Sequence, residues 1–475
     1  EGYDDFFMGK GSTYPDLFGT VGILFEQPSS RGAMQDTVNG KLTFPLSISN
    51  QFRASLSSIK ATAALKDDLL AYQRNFYTER KRKRGYYLAS AEGDPTRLQE
   101  FVRILRGHQI EVEALTSDVT AEGKTFKAGE TIAIPLDQPQ ATYLETLWRE
   151  QLEFEENVFY DVSTWTLPWA FNLSHTRDAV TNAKTEAMST SVDDDESKLG
   201  QSAIGYLIDW RDSASPALLY DLLEAGANVR VATAPFTALT TNEGSINFGY
   251  GTLFVAPKLQ ESIPQPVLSL LAEAQAEGLA IYPAASSYTP EGIDLGSRAF
   301  DVLSMPKVLM VTGPGTSAYG TGEIWHLLDR RLDMPLTMVD SNRLSRVNLD
   351  DYTHVITTTP VRLEGVSRQL ERFIKNGGIL WAQGGSTVAW AADTGLATAT
   401  WRETAEQVRK DSLQTAIERG DEALSQAKLL PARKPFATAS DEYAFTLVRG
   451  SILQGNLDIS HPLGFGYESE ALAVF

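Results

Sequence analysis

The sequence predicts a multi-domain α/β protein with several open, mostly parallel sheets flanked by helices. Short apolar runs typical of buried strands alternate with amphipathic segments typical of helices along most of the chain. The chain has 475 residues, and at roughly 150 residues per domain this length indicates about three domains. The hydrophobic fraction of 42% and the charged fraction of 22% are ordinary for a globular protein.

The N-terminal part of the chain contains one predicted strand and one predicted helix. Residues 20–26 form a short apolar run between Gly19 and Pro28, which is the pattern of a buried strand, and the run ends in Glu26. Apolar side chains recur at near-helical spacing over residues 52–78, so a helix is predicted there. We interpret the basic run at 80–84 as a solvated helix end or linker, with a nucleic-acid or localisation patch as the alternative.

The next two units repeat the alternation of strand and helix. In the first, strands are predicted at 86–89, 110–114 and 131–135 and helices at 95–107 and 140–153. This strand–helix–strand order predicts a parallel layer. Residues 174–202 are polar and predict a surface linker or flexible loop. The second unit has predicted strands at 204–208, 229–232, 253–256 and 279–282 and predicted helices at 216–224 and 264–277.

The last unit begins near residue 301. Its predicted strands are 307–311, 354–358 and 379–382, and its predicted helices are 322–331 and 366–375. Beyond residue 400 the pattern is weaker, with a helical stretch at 403–428 and a β-like stretch at 443–453.

Composition excludes several classes of function. The 61 acidic and 42 basic side chains give a net charge of -19, which repels phosphate backbones, so no nucleic-acid partner is expected. No apolar stretch approaches the roughly 20 residues of a membrane helix, so no membrane span is expected. The chain has no cysteine, which excludes disulfides, cysteine-ligated metals and a cysteine nucleophile. The sequence does not fix the oligomeric state.

Histidines offer little evidence of a metal site. His108 and Glu111 match the zinc-binding pattern His-x-x-Glu. They enter a predicted strand, however, where side chains three positions apart point to opposite faces, so we interpret His108 as a surface residue. The other histidines do not pair at ligand spacing. We expect a packed or capping role for His326, and His461 fits either an exposed or an active position.

Two glycine-rich turns follow predicted strands. Gly313, Gly315, Gly320 and Gly322 suggest a phosphate loop, but their spacing does not match the dinucleotide pattern and no Gly-Lys-Ser/Thr follows, so a simple strand–helix connection is expected. Ser386 follows two glycines and resembles a nucleophile elbow, which leaves a serine hydrolase as a weaker alternative.

Glu26 is the main candidate catalytic residue. A carboxylate at the carboxyl end of a buried strand is costly unless it is paired or used in chemistry. An ion pair with Arg31 and a catalytic role are equally consistent with the residue types alone.

The N-terminal stretch resembles a bacterial branch of the zinc carboxypeptidases. The motifs are Tyr3-Asp-Asp-Phe-Phe, Gly9-Lys-Gly-Ser-Thr-Tyr-Pro-Asp16 and the run from Gly19 to Gly32, which contains Glu26-Gln-Pro-Ser-Ser-Arg31. The resemblance is to the last part of the catalytic domain and implies that Glu26 is the general base. Family members bind zinc through an earlier His-x-x-Glu and a later histidine, and no histidine precedes Glu26 here.

The resemblance extends beyond this stretch. Residues 39–77, the region of Gln138 and residues 160–168 resemble the accessory region of the same, often exported, proteins. Residues 305–395 are similar in strand–helix order to class I glutamine amidotransferase-like domains of flavodoxin-like fold, whose cysteine nucleophile this chain lacks. The expected domains are 1–50 (the catalytic tail), 51–173 (a helix and an accessory α/β domain), 203–300 (a second α/β unit) and 301–475 (the amidotransferase-like domain with an extension).

Together these features predict the C-terminal portion of a zinc-dependent carboxypeptidase-like hydrolase. The chain begins with Glu1 in a sequence typical of a domain interior, so we expect a piece of a longer protein. The resemblance implies zinc and a peptide substrate for the intact protein, no cofactor in this chain, and a periplasmic or secreted location. The alternative is a non-enzymatic module that binds a ligand or partner with its α/β domains.

Overall fold

The structure is a computed structural model that describes residues 7–150, 165–188, 199–256, 266–360, 366–398 and 452–474. Tyr3, residues 160–164, the predicted helix 403–428 and most of the β-like stretch 443–453 lie outside these residues.

Helices and strands alternate along the described chain. The strands are β1 (Met34–Thr37), β2 (Gly40–Thr43), β3 (Tyr86–Ser90), β4 (Glu113–Leu115), β5 (Val119–Ala121), β6 (Lys124–Phe126), β7 (Thr131–Pro135), β8 (Ser174–His175), β9 (Thr185–Ala187), β10 (Tyr206–Ile208), β11 (Val229–Ala232), β12 (Phe236–Thr240), β13 (Gly244–Phe248), β14 (Leu253–Val255), β15 (Ile281–Pro283), β16 (Glu291–Gly292), β17 (Phe300–Val302), β18 (Val308–Thr312), β19 (Thr337–Asp340), β20 (His354–Thr357), β21 (Ile379–Ala382), β22 (Leu453–Asn456) and β23 (Ala471–Val474). The α-helices are α1 (Phe44–Ala64), α2 (Lys66–Thr78), α3 (Pro95–Gly107), α4 (Ala141–Trp148), α5 (Leu167–Ala170), α6 (Ser215–Glu224), α7 (Pro266–Ala276), α8 (Ala318–Trp325), α9 (Val366–Lys375) and α10 (Gly385–Asp393).

The chain forms two compact units. Unit 1 comprises Glu1–Asp195, Phe436–Asp458 and Glu468–Phe475, and unit 2 comprises Glu196–Pro435 and Ile459–Tyr467. Unit 1 contains a five-stranded sheet of order β8-β3-β7-β4-β9 and the hairpins β1-β2, β5-β6 and β22-β23. Unit 2 contains a five-stranded sheet of order β15-β10-β14-β11-β17, a three-stranded sheet of order β13-β12-β16 and a four-stranded sheet of order β19-β18-β20-β21.

The five-stranded sheet of unit 1 is antiparallel because one strand is inserted. Helix α3 connects β3 to β4, as the sequence predicts, but β7 lies between these two strands and pairs antiparallel with both. The hairpin β5-β6 lies between β4 and β7 along the chain. The edge strands β8 and β9 also pair antiparallel with their neighbours.

The five-stranded sheet of unit 2 has the same topology. Helix α6 connects β10 to β11, and β14 is inserted between them, antiparallel to both. The hairpin β12-β13 precedes β14, and β15 and β17 form the antiparallel edges. The two units therefore share one supersecondary arrangement, which is an internal structural repeat.

The predicted α/β class is confirmed, but the prediction of mostly parallel sheets is wrong. Among the sheets of the described residues, only that of β18 to β21 is parallel throughout. A strand–helix–strand pattern fixes only that its two strands run in the same direction. It does not show whether a later strand separates them, as β7 and β14 do here.

The predicted strand at 20–26 is wrong. Residues 20–30 have no regular secondary structure, and Glu26 is exposed. The helix predicted at 52–78 exists as two helices, α1 and α2, and α1 begins earlier because Thr43 caps its N-terminus and accepts a hydrogen bond from the Leu46 amide. Most of the apolar side chains of these helices are exposed rather than buried.

The predicted linker at 174–202 is only partly irregular. Its first half supplies the edge strands β8 and β9 of the sheet in unit 1, and residues 189–198 lie outside the described residues. Within the described part of the chain, no helix is both long and apolar enough to cross a membrane.

Replacing a buried leucine of α6 tests the packing of the repeated sheet. Leu222 is fully buried against the sheet of β10 to β17, so Leu222→Ala is expected to lower the free energy of unfolding by about 2–5 kcal/mol. Leu268 on α7 is 42% exposed, and Leu268→Ala is expected to change that free energy by about 0.5 kcal/mol or less. Urea denaturation of both variants measures the difference, and equal losses would contradict the packing described.

Candidate functional site

A short 3₁₀ helix, Tyr14–Phe18, fixes the path of the chain toward Glu26. Gly19 ends it in the left-handed region with a φ of 67°. A Cβ on Gly19 would lie 2.8 Å from Phe76 of α2. A Cβ on Gly22 would lie 1.7 Å from the carbonyl oxygen of Ser12, and the Gly22 amide donates to Asp16 Oδ1 at 2.8 Å. The glycine spacing of this stretch is therefore explained by close backbone approach.

Two tyrosines bind His108 and anchor the 3₁₀ helix to the α/β part of unit 1. The Tyr14 hydroxyl lies 2.8 Å from His108 Nδ1, and the Tyr143 hydroxyl lies 3.4 Å from Nε2. A neutral imidazole has one donor and one acceptor nitrogen, so one tyrosine donates and the other accepts. Burial lowers the pKa of His108, and burial next to Tyr14 raises the pKa of Tyr143 to about 12.

Glu26 lies in the irregular segment that follows this anchor. The next residue, Gln27, donates from Nε2 to the carbonyl oxygen of Ser47 in α1 at 3.0 Å, which ties the segment to the helix. No ion pair joins Glu26 to Arg31 among the described residues. The alternative that Arg31 neutralises Glu26 therefore has no support in this arrangement.

The apolar residues before Glu26 are exposed. Val21, Ile23, Leu24 and Phe25 have exposed fractions of 51%, 64%, 45% and 58%. Val21, Ile23 and Phe25, together with the facing surface of α1 and α2, line an apolar groove of about 690 Å³. Of the exposed apolar side chains of the helices, Leu65, Leu70 and Tyr72 line this groove, whereas Phe44, Leu46, Ile48, Phe52, Leu56 and Ile59 do not. We call the lining of this groove the apolar face of residues 21–72.

The described residues contain no group of three or more metal-ligating side chains arranged to hold a metal ion. His108 is half-buried at the end of α3 with each ring nitrogen facing a tyrosine, and Glu111 is exposed. The interpretation of His108 as a simple surface residue is thus incomplete, because its role is to hold two aromatic side chains together.

The remaining histidines have separate surroundings. His326 is exposed at the start of a π-helix, His326–Arg331, so a packed role is wrong. The capping alternative is confirmed, because His326 is the C-cap residue of α8 and its backbone amide donates to the carbonyl oxygens of Gly322 and Glu323. His461 caps the 3₁₀ helix Pro462–Gly464 through Nδ1, which accepts from the Leu463 amide at 3.2 Å. His354 Nδ1 and the Thr353 hydroxyl share a hydrogen bond of 2.7 Å. Burial lowers the pKa of His354.

Sequence reasoning missed a polar cluster around Glu150 in unit 1. Its Oε1 accepts from Trp169 Nε1 at 2.8 Å and from Arg177 Nε at 2.9 Å. The buried His175 donates from Nδ1 to the Leu173 carbonyl oxygen, and its Nε2 lies 3.8 Å from Glu150 Oε1. Burial lowers the pKa of His175. The cluster borders a cavity of about 340 Å³ next to β22 and β23, and no local sequence pattern links residues so far apart.

The two glycine-rich turns lie at the carboxyl edge of the parallel sheet. Gly313 and Gly315 stand between β18 and α8, and Ala318 is the first residue of α8. The spacing Gly-x-Gly-x-x-Ala is an accepted form of the dinucleotide pattern, so residues 313–318 do match that pattern. Ser386 is exposed in the first turn of α10, and within the described residues no hydrogen bond joins it to a histidine.

Comparison with protein-family models, with curated proteins and with solved structures found no match in any of the three.

A methyl group at Gly22 tests the path of the segment that carries Glu26. Gly22→Ala is expected to displace this segment from Ser12, since the added Cβ would lie 1.7 Å from a backbone oxygen. A Cβ at Gly11 meets no atom within 4 Å, so Gly11→Ala is the matched control. Limited proteolysis around residues 19–31 is expected to be faster in the Gly22 variant only, and equal rates would contradict the described path.

Acid is expected to weaken the anchor at His108. Because the folded state lowers the pKa of His108, the unfolded chain binds a proton more readily, and stability is lost as the pH falls through the unfolded value of about 6.5. Denaturant unfolding between pH 5 and 8 measures this slope. His108→Gln is expected to reduce the slope, with a remainder from His175 and His354, and an unchanged slope would contradict the assignment.

Proposed function

We propose that the chain is the C-terminal part of a zinc-dependent carboxypeptidase-like hydrolase, with Glu26 as a catalytic residue of the intact protein. The observation that carries this proposal is the apolar face of residues 21–72, which leads directly to Glu26 and is uncovered among the described residues.

The composition of residues 21–25 fits a strand that lacks its neighbours. Val, Ile, Leu and Phe favour pleated, buried positions, yet here all four are about half exposed or more. Burial of one such side chain contributes about 1.5–3 kcal/mol, so a surface this large favours a partner that covers it. A strand formed against the rest of a catalytic domain would cover it and place Glu26 at the strand's carboxyl end.

A carboxylate in that position is suited to general-base catalysis. Glu26 would accept a proton from the water that attacks the terminal peptide bond, and a positioned base of this kind contributes about 10²–10⁴-fold to the rate. The substrate would be a peptide with a free C-terminus. The resemblance also supports a periplasmic or secreted location for the intact protein.

The zinc ion implied by the resemblance does not fit the residues described. They contain no cluster of three or more suitable ligands, and no histidine precedes Glu26 in the sequence. The proposal therefore assigns the zinc ligands to sequence upstream of this chain, and the chain alone is expected to be inactive.

The proposal is tested in the full-length protein that includes the upstream sequence. Glu26→Gln is expected to lower kcat for a peptide with a free C-terminus by about 10²–10⁴-fold, because the amide cannot accept the proton. Glu79→Gln, which changes another exposed glutamate at the end of α2, is the matched control and should retain activity.

Two results would contradict the proposal. One is full activity of the Glu26→Gln variant, and the other is equal loss in both variants. The thermal unfolding midpoint of each variant is measured as well. The two midpoints should be the same, so that a loss of activity in one variant cannot be attributed to misfolding.

A further inference from the structure

The parallel sheet of unit 2 has a topological switch point. Its first strand, β18, is followed by α8 and then by β19 on one side, whereas the next strand, β20, lies on the other side of β18. In open parallel sheets, ligands bind in the crevice at the carboxyl ends of the strands where the order reverses. Here that crevice lies beyond Thr312 and Thr357.

The Gly313–Ala318 turn occupies this crevice, and its carbonyl groups are already bonded. The Gly315 oxygen accepts from the Thr359 hydroxyl at 2.9 Å, and the Pro314 oxygen accepts from the Ser341 hydroxyl at 3.3 Å. The turn is therefore held from the β20 side and the β19 side at once. Gly313 and Gly315 have φ values of 94° and 89°, which residues other than glycine rarely adopt.

The N-terminus of α8 opens onto the same turn. Ser317 caps it and accepts from the Gly320 amide at 3.2 Å. The amides of Ala318 and Tyr319 have no partner within a helix, since the first amides of any helix lack one. Such amides bind phosphate well.

An acidic side chain stands beside the turn, where a ribose would lie. Asp340 ends β19, opposite Thr312 in the register. Its Oδ2 lies 2.7 Å from the position that a Cβ on Gly313 would take, so the carboxylate rests directly on the first glycine. In dinucleotide-binding sheets an acidic residue at the end of the second strand accepts hydrogen bonds from the ribose hydroxyls.

The same carboxyl edge of the sheet holds two buried polar atoms without partners in the described part of the chain, close to the ends of β20 and β21. Thr387, in the first turn of α10 after β21, is completely buried, and its hydroxyl oxygen has no hydrogen-bond partner among the described residues. The backbone amide of Gln383 donates to the Thr357 carbonyl oxygen at 2.9 Å. The side-chain Oε1 of Gln383 is buried and also has no hydrogen-bond partner among the described residues. Buried polar atoms without partners are costly in a native protein.

We propose that this edge of unit 2 binds a ribonucleotide that carries a diphosphate, with the diphosphate at the amides of Ala318 and Tyr319 and the ribose hydroxyls at Asp340. This site goes beyond the proposed peptide hydrolysis and does not depend on Glu26. A 2′-phosphate on the ribose would meet the Asp340 carboxylate, so the site should reject ligands that carry one.

Isothermal titration of the full chain with ADP, NAD⁺, NADP⁺ and inorganic pyrophosphate tests the site. ADP or NAD⁺ is expected to bind with a Kd below about 1 mM, and NADP⁺ at least tenfold more weakly than NAD⁺. Asp340→Asn keeps the oxygen that accepts from the Asn342 amide, so it should fold normally, weaken ADP at least tenfold and reduce discrimination against NADP⁺. Asp350→Asn, at an exposed aspartate, is the control and should bind as the unmodified chain does.

Three results would overturn the proposal. They are no saturable binding of ADP or NAD⁺ at millimolar concentration, pyrophosphate as tight as ADP, and unchanged ADP affinity in the Asp340→Asn variant with an unchanged unfolding midpoint. The second would show an anion site without ribose recognition. None of these results bears on the role of Glu26, which is measured on a different substrate.

Discussion

The contact between Tyr14, His108 and Tyr143 fixes the segment that carries Glu26 to the rest of unit 1. The 3₁₀ helix of Tyr14 is short and contains no fully buried residue, so it depends on its neighbours for stability. The hydroxyl of Tyr14 reaches His108 at the end of α3, and its ring packs edge-on against Tyr143 of α4. From this anchor the glycines at 19 and 22 direct the chain past Phe76 and Ser12. The position of Glu26 depends on that path.

The two antiparallel sheets show how one arrangement serves both units. In each, a helix connects two strands that run in the same direction, and a third strand, preceded by a hairpin, separates them. The inserted strands are highly apolar because they are central. Ile132, Ala133 and Ile134 of β7 and Leu253, Phe254 and Val255 of β14 are all buried. The parallel sheet of unit 2 lacks such an insertion, so its strands keep a common carboxyl edge.

The sequence predicted local structure well and long-range pairing poorly. Helix α9 and strand β21 have the predicted bounds, because an amphipathic run, a glycine pair and a β-rich run are local signals. The insertion of β7 and β14 was not predictable from alternation alone, since pairing partners lie far apart in sequence. Residues 20–26 have the composition of a strand, but a strand needs a neighbour, and none of the described residues pairs with them.

The candidate sites show the same division between local and long-range signals. Glu26 was found from its position after an apolar run, although the structure leaves that run exposed. The pattern at Gly313 has alanine at its third position and is a weak signal by itself, and the position of Asp340 beside Gly313 emerges only from the pairing of β18 with β19. The cluster of Glu150, Trp169 and Arg177 has no local signal, since its members meet only in the folded unit.

The central claim is that residues 21–25 are covered by the rest of a catalytic domain in the full-length protein. Hydrogen–deuterium exchange of the amides of residues 19–31, compared between this chain and the full-length protein, tests it most directly. The account predicts fast exchange in this chain, where the segment is irregular and exposed, and strong protection in the full-length protein. Equally fast exchange in both would contradict it.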